Sequence, residues 1–227
     1  GLRRLELRAG TRTGQRLALA EGSVEEEPVA EAAARGVPLR GAGVDEITEM
    51  VGTEKYRISS KSFFQVNTDG AEALVELVLE VLEPGEEDAV LDAYAGVGLF
   101  TLPLARRSRK VFAVERHRAA LRDLRHHAKG LPVHIVGVDF ARAHEQLPAA
   151  VDLAVADPPR EGLGKEAAEV LVRLAPRRLA LVSCDPASLA RDLARLGEAG
   201  YRLERVVPVD LFPHTYHVET VSLLRRD

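Results

Sequence analysis

Between residues 89 and 184 the chain alternates short apolar runs with stretches whose apolar residues recur at helical spacing. The apolar runs are 89–94, 110–115, 133–139, 152–157 and 179–184, and the helical patterns fall near 100–105, 119–129, 165–174 and 188–199. Strands that are apolar on both faces need helices to cover both faces. The alternation therefore predicts an α/β fold with a parallel, doubly wound sheet.

The end of the chain departs from this alternation. The last two apolar runs, at 205–212 and 217–224, are separated only by Pro213, His214, Thr215 and Tyr216. A parallel connection needs about a dozen residues or more, so this pair must be antiparallel. We therefore expect a Rossmann-like, mostly parallel seven-stranded sheet with a reversed last strand. By fold analogy this is the arrangement of class I S-adenosylmethionine-dependent methyltransferases.

Residues 1–60 have a different pattern. Stretches at 2–8 and 15–19 roughly alternate around a turn rich in Gly and Thr, and short strand patterns follow at 46–51 and 55–59. We expect a small β-rich subdomain at 1–60 and a methyltransferase domain at 61–227. Because the chain opens at Gly1 directly on a strand-like stretch, we also expect it to be a fragment of a longer protein.

Several classes of site are excluded by composition. Cys184 is the single cysteine, so the chain has no internal disulfide and no iron–sulfur cluster or zinc site built from several cysteines. We expect no metal site. No apolar run is long enough to span a bilayer and no signal-peptide pattern is present, so we expect a cytoplasmic protein without membrane contact.

Nucleic-acid binding must depend on a local patch, because the formal net charge is -4. The densest basic stretch lies at 106–129. A solvated helix face explains it as well as an RNA footprint does.

A glycine pair follows the first core strand. Gly96 and Gly98 stand between that strand and the next helix, where glycines allow a tight turn and close approach of a ligand to the backbone. A dinucleotide-binding loop would have a third glycine, but Thr101 occupies that position. The pattern therefore disfavours a NAD-dependent oxidoreductase and is compatible with S-adenosylmethionine.

Carboxylates end three further core strands. Glu115 is placed to accept hydrogen bonds from the ribose hydroxyls of a cofactor, Asp139 to reach its adenine, and Asp157 follows the fourth strand. Each one alone could equally cap the following helix. Together, at the carboxyl edge of one sheet, they favour a cofactor site.

Two residues indicate the chemistry. Cys184 ends the fifth core strand, at the same edge as the glycine loop, and the following helix terminus is expected to favour its thiolate. Glu219 lies near the start of the reversed strand, which begins at that edge. The alternatives are a buried small residue for Cys184 and a solvated strand residue for Glu219.

Motifs over about residues 58–227 resemble those of the RNA uracil-5-methyltransferases that act on transfer and ribosomal RNA, in the family's order. They lie at 62–67, 94–98, 157–160, 183–186, 190–193, and 210–213 with 217–219. The resemblance implies that Gln65, Tyr94, Glu115 and Asp157 bind S-adenosylmethionine. It also implies that Cys184 is the nucleophile, that Glu219 is the base that removes the carbon-5 proton, and that RNA is the substrate.

The chain departs from the family pattern at three positions. Leu99 and Asp185 stand where Asn is common in the family, and His214 stands where Gln is common. Family members commonly carry an upstream oligonucleotide-binding β-barrel, for which this chain has no room. Three other interpretations stay open: a cytosine-5 methyltransferase, an amino-group methyltransferase suggested by Asp157-Pro158-Pro159, and an RNA-binding fragment that has lost catalysis.

Overall fold

The structure is a computed structural model that describes residues 2–22 and 46–226. Its strands are β1 Leu2–Ala9, β2 Arg16–Gly22, β3 Glu46–Val51, β4 Glu54–Ser59, β5 Ala89–Ala93, β6 Lys110–Val114, β7 Val133–Val136, β8 Leu153–Ala156, β9 Arg178–Ser183, β10 Arg202–Val209 and β11 Glu219–Arg225. Its helices are α1 Thr68–Leu82, α2 Thr101–Ala105, α3 Arg118–His127, α4 Gly164–Leu174 and α5 Pro186–Glu198, with a 3₁₀ turn at Phe140–Arg142.

The central sheet has seven strands in the order β10-β11-β9-β8-β5-β6-β7. Strands β5 to β9 pair in parallel, and β11 pairs antiparallel with both β9 and β10. The predicted mostly parallel sheet with a reversed last strand is confirmed. Because β11 runs backwards, its first residue lies at the edge where the parallel strands end.

The tenth strand begins and ends three residues earlier than the sequence pattern indicated. Residues 210–212 leave the sheet because Leu211 is buried against the first turn of α1 and its carbonyl accepts a hydrogen bond from Asn67 Nδ2, 3.2 Å away. The same Asn67 caps α1 by accepting from the Gly70 amide at 3.0 Å. The apolar character of this segment therefore reflects packing on a helix and not strand pairing.

Helices cover the sheet on both faces. On one face α1 and α2 pack into an apolar core that also contains Tyr56 and Ile58 of β4. On the other face α4 and α5 form a second apolar core. The β3–β4 hairpin thus shares a core with the sheet.

The strands predicted within 1–60 are present, and they pair as the β1–β2 and β3–β4 hairpins. Gly1 and residues 23–45 of that predicted subdomain lie outside the described residues. The division of the chain at residue 60 therefore stays a prediction.

A buried carboxylate attaches the β1–β2 turn to the rest. Glu49 is 2% exposed and accepts hydrogen bonds from the amide and hydroxyl of Thr11 and from the hydroxyl of Thr68, at 2.5, 2.8 and 2.9 Å. A buried charge is tolerated only when such donors replace water. Glu49 therefore fixes the turn against the start of α1.

Candidate active site

A cavity of about 790 Å³ opens at the carboxyl edge of the sheet. It lies among the loops that follow β5, β6, β8 and β9, the start of β11 and the segment before α1. The predicted site residues that line it are Gln65, Tyr94, Gly96, Glu115, Asp139, Asp157, Cys184 and Glu219. The topology therefore brings eight of the nine predicted residues to one cavity, while Gly98 does not line it.

Gly98 has a packing role in the structure. Its φ of +104° is one that side chains rarely adopt, and a Cβ there would lie 2.8 Å from Leu124 Cδ1 on α3. Gly98 thus allows the loop to approach α3 closely. Gly96 also has a positive φ, of +56°, but a Cβ there would meet nothing within 4 Å.

The loop after β5 is held by a carboxylate. Glu115 accepts a hydrogen bond from the Gly96 amide at 2.9 Å and one from the His117 amide at 2.5 Å. Tyr94 adopts a φ of +66°, unusual for a bulky residue, and its ring meets the Phe140 ring edge-on at a centroid distance of 5.5 Å. A carboxylate has about four acceptor sites, so Glu115 retains capacity for a ligand.

Asp139 has the capping role, and its contact with a cofactor stays a prediction. It caps the 3₁₀ turn by accepting from the Ala141 amide at 3.1 Å, and it also lines the cavity. Arg116 forms a solvent-exposed ion pair with Asp139, with an N–O distance of 3.1 Å. Such an exposed pair contributes little stability, about 0–1 kcal/mol, so both groups are free to exchange partners.

Cys184 lies in the short turn between β9 and α5. Asp185 caps α5 by accepting from the Ser188 amide at 2.7 Å, so this departure from the family pattern leaves the helix well capped. Burial raises the pKa of the Cys184 thiol, and the charges of Glu219 and Asp157 raise it further. The expectation that the helix terminus favours a thiolate is wrong, because burial and two carboxylates outweigh it.

Glu219 is the first residue of β11 and is 4% exposed. Burial, followed by the charge of Asp157, raises the pKa of Glu219 to about 8. Burial also raises the pKa of Asp157 to about 6. The site therefore contains two carboxyl groups that change charge near neutral pH, as expected for acid–base chemistry.

Asp92 is a buried acid that sequence reasoning did not single out. One of its oxygens accepts from the Thr101 hydroxyl at 2.5 Å, and the other has no hydrogen-bond partner within residues 2–22 and 46–226. Burial raises the pKa of Asp92 to about 7. Thr101 thus replaces the third glycine of a dinucleotide loop with a hydrogen-bond donor to Asp92.

Asp123, which the sequence pattern did not single out either, holds the segment before α1. It accepts from the Ser59 amide at 2.9 Å and from the hydroxyls of Ser59 and Ser62 at 2.6 Å each. The available signal was a carboxylate on the apolar side of α3, next to Leu124. Asp123 and the Asn67 cap hold the two ends of the segment that contains Gln65.

The glycine loop is also attached to the β3–β4 hairpin. The Tyr56 hydroxyl donates to the Leu99 carbonyl at 3.0 Å. His127 Nδ1 lies 2.8 Å from the Val97 carbonyl, and its Nε2 accepts from the Arg57 amide at 2.8 Å. Leu99 therefore contributes its backbone to a structural contact while it lines the cavity.

Two exposed aromatic rings lie in or beside the cavity wall: Phe63 lines the cavity, and Tyr216 contacts the ring of His217, which lines it. Phe63 is 72% exposed and Tyr216 is 82% exposed, whereas Phe64 packs against Tyr56 at a centroid distance of 5.5 Å. Phe64 thus packs against the core, whereas Phe63 stays exposed. The exposed rings leave apolar faces available beside the cavity.

The described ranges contain neither a metal-binding cluster nor a membrane-spanning helix. Within residues 2–22 and 46–226, no group of three His, Cys, Asp or Glu side chains is arranged to hold a metal ion. Over the same part of the chain, no helix is long and apolar enough to cross a membrane.

The known proteins that this chain resembles are RNA methyltransferases. The family model for tRNA (Uracil-5-)-methyltransferase matches residues 19–134 and 146–227. A protein of Gloeobacter violaceus described as an uncharacterized RNA methyltransferase is 38% identical over 99% of this chain and 55% of its own length. A similarly described protein of Thermosynechococcus vestitus is 41% identical over 78% of this chain and 40% of its own length.

A solved structure has the same arrangement over almost the whole chain. It is the Pyrococcus abyssi tRNA (uracil-54, C5)-methyltransferase in complex with S-adenosyl-L-homocysteine, with a TM-score of 0.79 and 27% identity, covering 98% of this chain and 59% of that one. The fold predicted from the sequence is confirmed. The chain spans about half the length of the curated relatives that it matches.

Proposed function

The chain belongs to the tRNA (uracil-5-)-methyltransferase family, and from that premise we propose that it transfers a methyl group from S-adenosylmethionine to carbon 5 of a uridine in RNA. The observation that carries the proposal is the shared cavity of Cys184, Glu219 and Asp157 at the carboxyl edge of the sheet. In an α/β sheet this edge is where ligands bind.

The residues present fit the cofactor. The volume of about 790 Å³ is in the range of small-molecule sites. Glu115 offers acceptor capacity for ribose hydroxyls, Gly96 leaves its backbone open to close approach, and Tyr94 and Gln65 complete the wall. The carboxyl groups of Asp157 and Glu219 suit a sulfonium cation, whose positive charge offsets theirs. When bound, S-adenosylmethionine supplies an electrophilic methyl group.

Cys184 is the proposed nucleophile. Carbon 5 of uracil is a poor nucleophile, and addition of the Cys184 sulfur to carbon 6 makes carbon 5 enolate-like. This is covalent catalysis, in which one difficult step becomes two easier ones. The thiol must first lose its proton, and a cation in the cavity favours this because it opposes the carboxylates that raise the pKa of Cys184.

Glu219 is the proposed base. After methylation, the proton on carbon 5 must leave as a new double bond forms and the carbon–sulfur bond breaks. A carboxyl group with a pKa near 8 accepts a proton readily around neutral pH once it is ionised. Arg160 lines the cavity and is a candidate donor to the uracil oxygen that becomes negative in the adduct.

A uridine must leave its helical stack to reach this cavity. Phe63 lines the cavity, Tyr216 contacts the lining residue His217, and both rings are exposed, so they can stack on a base. Base–aromatic stacking contributes about 1–3 kcal/mol per base. These rings are therefore the proposed platform for the flipped nucleotide.

The deciding experiment uses a stem–loop RNA that contains uridine or 5-fluorouridine. The chain should methylate the first and form a covalent adduct with the second, and Cys184→Ala should do neither while it still binds S-adenosylmethionine in calorimetry. Normal turnover by Cys184→Ala would contradict the covalent mechanism and favour an amino-group methyltransferase. Methylation of cytosine in place of uracil would reassign the base, and cofactor-independent RNA binding without methylation would indicate a catalytically inactive chain.

A further inference from the structure

Helix α3 carries a cationic face that the chemistry of the cavity does not use. Arg118, Arg122, Arg125 and Lys129 are spaced by four, three and four residues, so they lie on one side of the helix and its end. All are exposed. The opposite side is buried against the sheet through Ala120, Leu121 and Leu124, among others.

The described part of the chain offers these cations no acidic partner. Within residues 2–22 and 46–226, no salt bridge or hydrogen bond involves the side chains of Arg118, Arg122 or Lys129. The single acid of α3, Asp123, points inwards to Ser59 and Ser62. By contrast, α1 carries three glutamates, Glu72, Glu76 and Glu80.

Helix stability does not account for the arrangement. Cations are favourable near the carboxyl end of a helix, which accommodates Arg125 and Lys129. The same dipole disfavours Arg118, which is the first residue of α3, and no acid stands in that first turn. A position that costs helix stability is more readily explained by a ligand that carries negative charge.

The face is continuous with the active-site cavity. Arg116 and His117 line the cavity and directly precede Arg118. From Arg118 to Arg125 the helix advances about 10 Å, at 1.5 Å per residue. A nucleic-acid strand places one phosphate about every 3.4 Å of rise, so this distance is matched by several phosphates.

We propose that the exposed face of α3, formed by Arg118, Arg122, Arg125 and Lys129, binds the phosphate backbone of the substrate RNA where the strand leaves the cavity. The inference rests on the proposed function and adds the surface that holds the RNA outside the reacting nucleotide. Phosphate contacts of this kind position the strand and carry no sequence information.

The test compares two variants with the same loss of charge. One is Arg122→Gln/Arg125→Gln/Lys129→Gln on α3. The control is Arg142→Gln/Lys165→Gln/Arg173→Gln, whose positions are exposed and lie at the 3₁₀ turn and α4, on the opposite face of the sheet. Binding of a fluorescent uridine-containing stem–loop RNA is measured by anisotropy at a series of salt concentrations, separately from methylation.

The α3 variant should bind more weakly, and its slope of log affinity against log salt should decrease by about two to three, since each lost phosphate contact removes about 0.7–0.9. The control should keep the slope of the unaltered chain. Both variants should bind S-adenosylmethionine as the unaltered chain does, which verifies the fold.

Equal slopes for the α3 variant and the control, or no RNA binding by the unaltered chain, would overturn the inference. Sedimentation with phosphatidylglycerol vesicles that is lost only in the α3 variant, with an unchanged RNA slope, would assign the face to a membrane and overturn it too. The proposed function fails separately: RNA that binds with the expected salt dependence but is never methylated would contradict methyl transfer and leave the α3 surface intact.

Discussion

Glu219 stands next to Cys184 across the last pairing of β11 with β9. The register pairs Thr220 with Ser183, and the Thr220 hydroxyl donates to the Ser183 carbonyl at 3.1 Å. Continuing the antiparallel register by one residue places Glu219 opposite Cys184. The proposed nucleophile, just after β9, and the proposed base, at the start of β11, are thus brought together by the reversal of the last strand.

This relationship predicts an asymmetry between the two residues. Glu219→Gln should retain nucleophilic addition by Cys184 but lose removal of the carbon-5 proton. We expect turnover to fall about 10²- to 10⁴-fold, the usual contribution of a general base. A covalent complex with ordinary uridine RNA should accumulate in the presence of S-adenosylmethionine, and denaturing gel electrophoresis detects it.

The matched control is the double variant Cys184→Ala/Glu219→Gln, in which no such complex should form. A Glu219→Gln chain that turns over at the normal rate would show that another group removes the proton. If turnover stops without a covalent complex, Glu219 acts before the addition of Cys184 instead.

The two glycines of the loop after β5 should differ in what they affect. Gly98→Ala places a Cβ 2.8 Å from Leu124 at a φ of +104°, so we expect it to lower the free energy of unfolding by about 2 kcal/mol or more. Gly96→Ala meets nothing within 4 Å, so its cost is mainly the positive φ, about 1 kcal/mol. Urea denaturation measures both.

Cofactor affinity should show the reverse order at a temperature where both variants are folded. Gly96 lines the cavity, so a methyl group there should weaken S-adenosylmethionine binding in calorimetry, whereas Gly98→Ala should bind nearly as well as the unaltered chain. Equal losses of affinity for the two variants would show that the loop acts as one unit.

Asp123 should be important for stability although it lies outside the cavity. Asp123→Ala leaves Ser59 and Ser62 without their acceptor, so we expect the free energy of unfolding to fall by about 3 kcal/mol. Ser62→Ala removes one of these donors and should cost about 1 kcal/mol. A smaller loss for Asp123→Ala than for Ser62→Ala in thermal or urea unfolding would contradict this role.

The sequence predicted well the elements that depend on local periodicity, and the final antiparallel pair, which depends on a short connection between two strands. The core strands, the helices between them and the antiparallel last pair depend on spacing alone, so Glu115, Asp157 and Cys184 could be assigned to one edge. Gly98 could not be separated from Gly96, because its packing neighbour, Leu124, lies on another helix. The shift of the tenth strand likewise depends on Leu211, which packs against α1.

Electrostatic properties of the site were the least predictable. The sequence shows that a helix follows Cys184, which favours a thiolate, but it does not show how deeply the turn is buried or that Asp157 is near. Burial, followed by the charges of Glu219 and Asp157, raises the pKa of Cys184 instead. The sequence likewise did not show that Glu219, which is 4% exposed, is buried deeply enough to raise its pKa.

The raised pKa values of Asp157 and Glu219 predict how cofactor binding depends on pH. S-adenosylmethionine carries a positive sulfur and S-adenosylhomocysteine does not, while their other charged groups are the same. A cation stabilises ionised carboxylates and lowers their pKa, so its binding should release protons where each group is still protonated in the free chain. This window lies below about pH 6 for Asp157 and below about pH 8 for Glu219, and it ends at about pH 8.

The preference for S-adenosylmethionine over S-adenosylhomocysteine should therefore increase as the pH rises through this window. Below about pH 6 both carboxyl groups are mostly protonated in the free chain, and above about pH 8 both are mostly ionised and attract the sulfonium. Each unit by which the sulfonium lowers one pKa corresponds to about a tenfold increase in relative affinity. Calorimetry of both ligands from pH 5 to pH 9, in buffers of different ionisation enthalpy, measures the affinities and the protons released.

The variant Glu219→Gln distinguishes the contribution of Glu219 to this pH dependence from that of Asp157. This variant should lose the part of the pH dependence that ends near pH 8 and keep the part that ends near pH 6 and belongs to Asp157. Because the introduced amide stays neutral at every pH, the variant should also prefer S-adenosylmethionine less strongly than the unaltered chain at pH 9. A preference that is constant from pH 5 to pH 9 in the unaltered chain would show that neither carboxyl group senses the charge on the cofactor sulfur.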